Sequence, residues 1–153
     1  MCGISGIYNS LNKPINSKSI IEKIVKIQHL RGPDDLGIWE SKCKRVCFGH
    51  NRLTIIDLSN KGRQPFVSVD ENYVITFNGE IYNFKEIKKE LSAKNITFKS
   101  NSDTEVILEA YKLWGLNFIK KLRGMFAFAI WDSIKKKLIL ARDPFGIKPL
   151  YYS

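Results

Sequence analysis

Residues 125–131 constrain this chain more than any other segment. They alternate as a strand does, with Phe126, Phe128 and Ile130 on one face and Met125, Ala127, Ala129 and Trp131 on the other. Both faces are apolar, so both must be covered, and a strand covered on both sides belongs inside a layered molecule. Residues 138–141 read as its antiparallel neighbour, reached through the solvated turn Lys135-Lys136-Lys137. Residues 4–8 and 73–77 read as further strands, and residues 36–51 as two short paired strands with a turn near 41–44. Asn78-Gly79, a strong hairpin signal, is expected to close the strand before it.

Helices are available for the outer layers. Ile20, Ile21, Ile24, Val25 and Ile27 form a helical stripe within residues 17–30, which should stop before Gly32-Pro33. His29 would sit near its last carbonyls. Asn83 is expected to cap a helix carrying Phe84, Ile87 and Leu91 on one face. Ser102-Asp103-Thr104-Glu105 fits a capping box for another helix, bearing Val106, Ile107, Ala110, Tyr111 and Trp114, with Gly115 at its end. The 153 residues, 44% of them apolar, suffice for one α+β domain spanning residues 1–153, and leave no room for disorder or low complexity.

The net charge of +10 invites a nucleic-acid reading. The basic residues are spread along the chain, however, and the aromatic residues fall on periodic apolar faces, so neither nucleic acid nor membrane is an expected partner. Three cysteines are too few for a disulfide framework. With no apolar run of membrane length and no secretory leader, a cytoplasmic, reducing setting is expected. Cys43, Cys47 and His50 lack the spacing of a zinc site. Strand alternation would put both cysteines on one face as small apolar residues, and no metal is expected.

Cys2 is the residue with chemistry. Removal of Met1, which a small second residue permits, would leave a thiol (pKa near ~8.5) and an α-amine (near ~7.7–8.0) on one amino acid. Nucleophile and base would then need no fold to bring them together. Gly3, Ser5 and Gly6 leave space beside the thiol, and the strand they begin would hold it rigidly.

Seven segments occur in order: Met1-Cys2-Gly3-Ile4-Ser5-Gly6, Arg31-Gly32-Pro33-Asp34, Gly49-His50-Asn51-Arg52-Leu53-Thr54-Ile55-Ile56-Asp57, Phe77-Asn78-Gly79-Glu80-Ile81-Tyr82-Asn83, Ser102-Asp103-Thr104-Glu105, Gly124-Met125-Phe126-Ala127-Phe128-Ala129, and Arg142-Asp143-Pro144-Phe145-Gly146-Ile147-Lys148-Pro149-Leu150-Tyr151-Tyr152. Together they resemble the N-terminal glutaminase domain of glutamine-hydrolysing asparagine synthetases. These are class II glutamine amidotransferases, which are N-terminal-nucleophile hydrolases. The resemblance implies a four-layer αββα sandwich. It also implies that Cys2 attacks the glutamine side-chain amide, giving ammonia, a γ-glutamyl thioester and then glutamate.

Asn78 and Gly79 match the family's oxyanion donors, a role that preorganised N–H groups suit. Arg52 matches the clamp on the substrate α-carboxylate, where a guanidinium can bond two oxygens. Asp103 matches the partner of its α-ammonium, and Leu53, Ile55, Ile56 and Glu80 line the family's glutamine site. No cofactor is implied for glutamine hydrolysis; ATP and Mg belong to the synthetase portion, the expected recipient of the ammonia. One departure is Leu30, where the family usually has His before Arg-Gly-Pro-Asp. The chain also stops short of the family's last glutaminase strands, so a C-terminally truncated domain without a synthetase portion is expected. The residues leave open a homodimer, another ammonia acceptor such as a sugar or antibiotic precursor, and a non-catalytic binding remnant.

Overall fold

The computed structural model describes residues 2–11 and 15–153. Its chain runs β1 (Gly3–Tyr8), α1 (Ser17–Ile27), β2 (Asp35–Glu40), β3 (Val46–Arg52), β4 (Phe66–Val67), β5 (Tyr73–Ile81), α2 (Phe84–Ser92), α3 (Asp103–Trp114), β6 (Gly124–Asp132) and β7 (Lys137–Arg142). The strands form two antiparallel sheets, ordered β1-β3-β2 and β4-β5-β6-β7.

The double-sided strand organises the stack. Phe126, Phe128 and Ile130 of β6 pack with Ile87 and Leu91 of α2 and with Val106, Ile107 and Tyr111 of α3. The opposite face, through Ala129 and Trp131, meets Val46 and Phe48 of β3, and so joins sheet to sheet. Beyond the first sheet, Ile21 and Val25 of α1 cover Cys47. The order of layers is α1, first sheet, second sheet, α2 with α3: the expected αββα sandwich. Each layer exists because its neighbour presents apolar surface.

Several local expectations need correction. Asn78-Gly79 is not a turn: β5 continues to Ile81, and Gly79 pairs with Phe126. The long apolar β6 supplies a partner at every position of β5, which outweighs the local turn preference. The first helix ends at Ile27, and His29 opens an exposed 3-10 turn instead of capping the helix. Asn83 does stand before α2, yet its side chain makes no cap bond; it reaches Lys121 O and Arg123 N at 2.9 Å each. Only half of the capping box forms. Ser102 accepts from Glu105 N, but the Glu105 carboxylate takes Lys99 N, Ser100 N and the Ser100 hydroxyl at 2.6–2.8 Å. Finally, Cys43 lies in the exposed β2–β3 turn whereas Cys47 is buried in β3, so they do not share a strand face.

Candidate active site

Cys2 stands one residue before β1, and pairing of Gly3 with Asn51 holds it beside the end of β3. Leu53 N–H donates to its sulfur at 3.4 Å, and the Arg31 Nε–H donates to its carbonyl at 3.4 Å. The thiol faces a cavity of about 120 Å³ where the ends of both sheets meet the 53–64 loop and the start of α3. All nine residues singled out above line this cavity: Cys2, Arg52, Leu53, Ile55, Ile56, Asn78, Gly79, Glu80 and Asp103. Ile55 and Glu80 are exposed, so one wall is open to solvent.

Backbone alternation aims one donor into this space. Phe126 bonds Asp143 through both its N–H (to the carboxylate, 3.2 Å) and its carbonyl (2.7 Å), so it faces β7. Gly79 opposite it is therefore a non-hydrogen-bonded partner whose N–H points away from β6. The N–H groups two residues to either side point the same way and are taken: Phe77 N by Gln64 Oε1 at 2.7 Å, Ile81 N by Asp103 Oδ2 at 3.0 Å. β4 is too short to reach Gly79. The Gly79 N–H thus opens onto the cavity between two satisfied neighbours. Beside it, the Asn78 carboxamide has no hydrogen-bond partner among the described residues, although the residue is buried. These two donors beside a thiol are what a developing oxyanion needs.

Two opposite charges complete the site. The buried Arg52 guanidinium donates from Nη1 to Ser59 O at 3.1 Å and from Nη2 to Asp57 O. A Cβ on Gly62 would lie 2.7 Å from that Nη2, so the bare glycine makes room for the guanidinium. Asp103 lines the same cavity from the first turn of α3. Burial pushes its carboxyl up to about 6 against bonds from Ile81, its own N–H and Thr104, with the Glu80 charge adding to the rise. A cation and an anion held at one small cavity suit a zwitterionic amino acid.

His50 ties the two halves together. It donates from Nε2 to Phe77 O at 3.2 Å, across the gap between sheets, while Thr76 donates back to Gly49 O at 3.4 Å. The sheet that Cys2 leads into and the sheet that carries Asn78 and Gly79 are joined next to the cavity itself. Burial pushes the imidazole down to about 4, so it stays neutral at pH 7. Cys47, on the same strand, turns toward α1, and these two do not converge on any ligand.

Sequence reading missed Gln64, whose amide also donates to Thr104 Oγ1 at 3.2 Å and so links β5 to α3. It lies in none of the seven segments, and no local pattern marks it. Asp57 and the buried Lys148 also line the cavity; both stand within recognised segments but carried no role.

The raised Asp103 group has a consequence for stability. Between pH about 4 and about 6 the folded state holds a proton that the unfolded state has lost, so this residue's penalty grows as pH rises through that window. Asp103→Asn keeps an acceptor for Ile81 N and removes the penalty. Urea unfolding should find the variant more stable than the parent by up to about 3 kcal/mol at pH 7, with the difference vanishing below pH 4. A variant less stable at pH 7 would contradict this account.

Comparisons with known proteins point the same way. The glutamine amidotransferase domain family matches residues 1–153. Asparagine synthetase [glutamine-hydrolyzing] 1 of Bacillus subtilis is 46% identical over 155 residues, covering 100% of this chain but 24% of that protein. Amidase chry2 of Gibberella zeae is 42% identical over 162 residues, again across 100% of this chain and 24% of the relative. The chain thus spans about a quarter of these relatives' length. Among solved structures, glutamine phosphoribosylpyrophosphate amidotransferase from B. subtilis superposes with a TM-score of 0.77 at 23% identity, over 95% of this chain and 38% of that one, which shows a shared fold. With the αββα stack and a thiol immediately before its first strand, the chain belongs to the glutamine amidotransferase family.

Proposed function

We propose that this domain hydrolyses the side-chain amide of L-glutamine, with Cys2 as nucleophile. The observation that carries the reading is the meeting, in one cavity, of the Cys2 thiol, the inward Gly79 N–H, the Asn78 carboxamide and the opposite charges of Arg52 and Asp103. In this reading Arg52 binds the substrate α-carboxylate and Asp103 its α-ammonium, which places the side-chain carboxamide at the sulfur. Once Met1, which lies outside the described residues, is removed, the Cys2 α-amine takes the thiol proton. The sulfur attacks the amide carbon, and Asn78 and Gly79 stabilise the oxyanion. The same proton then goes to the departing nitrogen, which leaves as ammonia, and water cleaves the thioester to glutamate.

The step draws on no cofactor. The ammonia is used by a synthetase portion or partner, which would bind Mg, with asparagine formation at the expense of ATP as the favoured outcome. The names of the relatives support that acceptor, and a cytoplasmic, reducing setting would keep the thiol active. Among the described residues no helix is long and apolar enough to cross a membrane. The test is incubation with L-glutamine: glutamate and ammonia should appear in equal amounts, and the intact mass should lack Met1. Absence of both glutamate and a glutamine-dependent change at Cys2 would refute the reading.

A further inference from the structure

We infer that Asp57 is a positioning residue that couples the two charge-recognition elements of the glutamine site; this rests on the function just proposed. Both described hydrogen bonds of the Arg52 guanidinium go to carbonyls of one short loop, those of Asp57 and Ser59. A guanidinium held this way is only as well placed as the loop, and the Asp57 carboxylate organises that loop. Its Oδ1 accepts from Ser59 N at 2.8 Å and from the Ser59 hydroxyl at 2.6 Å, closing the turn under Arg52. Its Oδ2 accepts from Asn101 N at 3.0 Å, forty-four residues along the chain.

Asn101 leads directly into Ser102, the cap of α3, and Asp103, the first residue of that helix. One carboxylate therefore clasps the loop that holds the substrate's α-carboxylate clamp to the segment that presents the ammonium partner. The clasp is charged in its working state: the Ser59 hydroxyl first, then the Asn101 and Ser59 N–H groups and the Arg52 charge, hold the carboxyl below its ordinary range against burial. Asp57 itself is only half-buried, so it can be changed without opening the core. Its side chain acts on the spacing between Arg52 and Asp103 and not on the sulfur. The consequence is specific: loss of the clasp weakens glutamine binding and leaves the thiol's reactivity unchanged.

The experiment follows alkylation of Cys2 by iodoacetamide in the full chain, read by peptide mass, with and without L-glutamine. The exposed Cys43 serves as an internal reference in the same digest. Asp57→Asn keeps an acceptor for Ser59 but faces Asn101 N–H with a donor or loses it; Asp57→Ala loses both connections. The expected result is a rise of about tenfold in the glutamine concentration giving half-protection for Asp57→Asn and a larger rise for Asp57→Ala. The alkylation rate without glutamine should stay within twofold of the parent in both. Where turnover is measurable, KM should rise in the same order with kcat little changed. Half-protection within twofold of the parent in both variants would overturn the inference. So would a loss of unprotected Cys2 reactivity as large as the loss of protection, since that marks general disruption. If glutamine fails to protect Cys2 in the parent chain, the proposed function falls first, and the assignment of Asp57 with it.

Discussion

Cys2→Ala is expected to abolish glutamine turnover, by about four to six orders of magnitude, while the fold survives. The loss is large because no second nucleophile can substitute. Cys43 lies in the exposed β2–β3 turn, and the Cys47 thiol faces α1, where burial pushes it up to about 11. Without the sulfur Asn78 and Gly79, the proposed oxyanion donors, have nothing to stabilise, because the tetrahedral intermediate is never formed. Stability should hardly change. The half-buried thiol contributes two weak contacts, accepting from Leu53 N at 3.4 Å and donating to Leu53 O at 3.7 Å, whereas the strand it precedes is secured by six paired residues from Gly3 to Tyr8. Glutamate release and thermal unfolding on the same preparation check both halves. Turnover within tenfold of the parent would place the nucleophile elsewhere.

Gly79→Ala is expected to cost the fold as well as the activity. A Cβ at this position would sit 2.2 Å from Met125 O and 2.7 Å from the Phe126 Cα, both backbone atoms of β6. No rotation of a side chain relieves such contacts, so β5 and β6 would have to part along the ladder that runs from Tyr73 with Asp132 to Ile81 with Gly124. The cost should exceed about 4 kcal/mol, a large share of an ordinary domain's stability. Any molecules that still fold would carry a displaced Gly79 N–H, and turnover per folded molecule should fall by about a hundredfold or more. Gly115→Ala makes the informative contrast. That site has φ +56 and ψ −147 but nothing within 4 Å, so its substitution should cost only the local backbone strain, about 1–3 kcal/mol, and leave turnover unchanged. Denaturant midpoints for the two variants should differ accordingly, and equal midpoints would show that β6 yields more easily than its packing implies.

The same glycine shows where local reading reaches its end. Asn78-Gly79 carries a strong two-residue turn signal, and composition offers nothing against it. The pair lies within a strand because β6, more than forty residues later, supplies partners on that side, and because Gln64 and Asp103 occupy the neighbouring N–H groups on the other. Glu105 behaves similarly: its place three residues after Ser102 suggests a reciprocal cap, yet its carboxylate is drawn to the preceding loop at residues 99 and 100. A contact more than forty residues away in the first case, and contacts five and six residues away in the second, outweigh a preference encoded within four residues.

What the amino-acid order determined unaided was the layering and which residue could carry the proposed chemistry. A strand apolar on both faces needs cover on both, amphipathic segments must turn one face inward, and a cysteine in second place followed by small residues can carry a nucleophile next to an amine. Those conclusions depend on neighbours a few positions apart, which is the range over which periodicity and side-chain type act. Only the tertiary structure decided that the Gly79 N–H is open while those two residues away are closed, that Arg52 rests on two carbonyls of a loop, and that Asp57 joins this loop to α3. Each of those facts is a hydrogen bond, or its absence, set by the meeting of segments far apart in the chain, and such bonds leave no periodic mark in the order of the residues that make them.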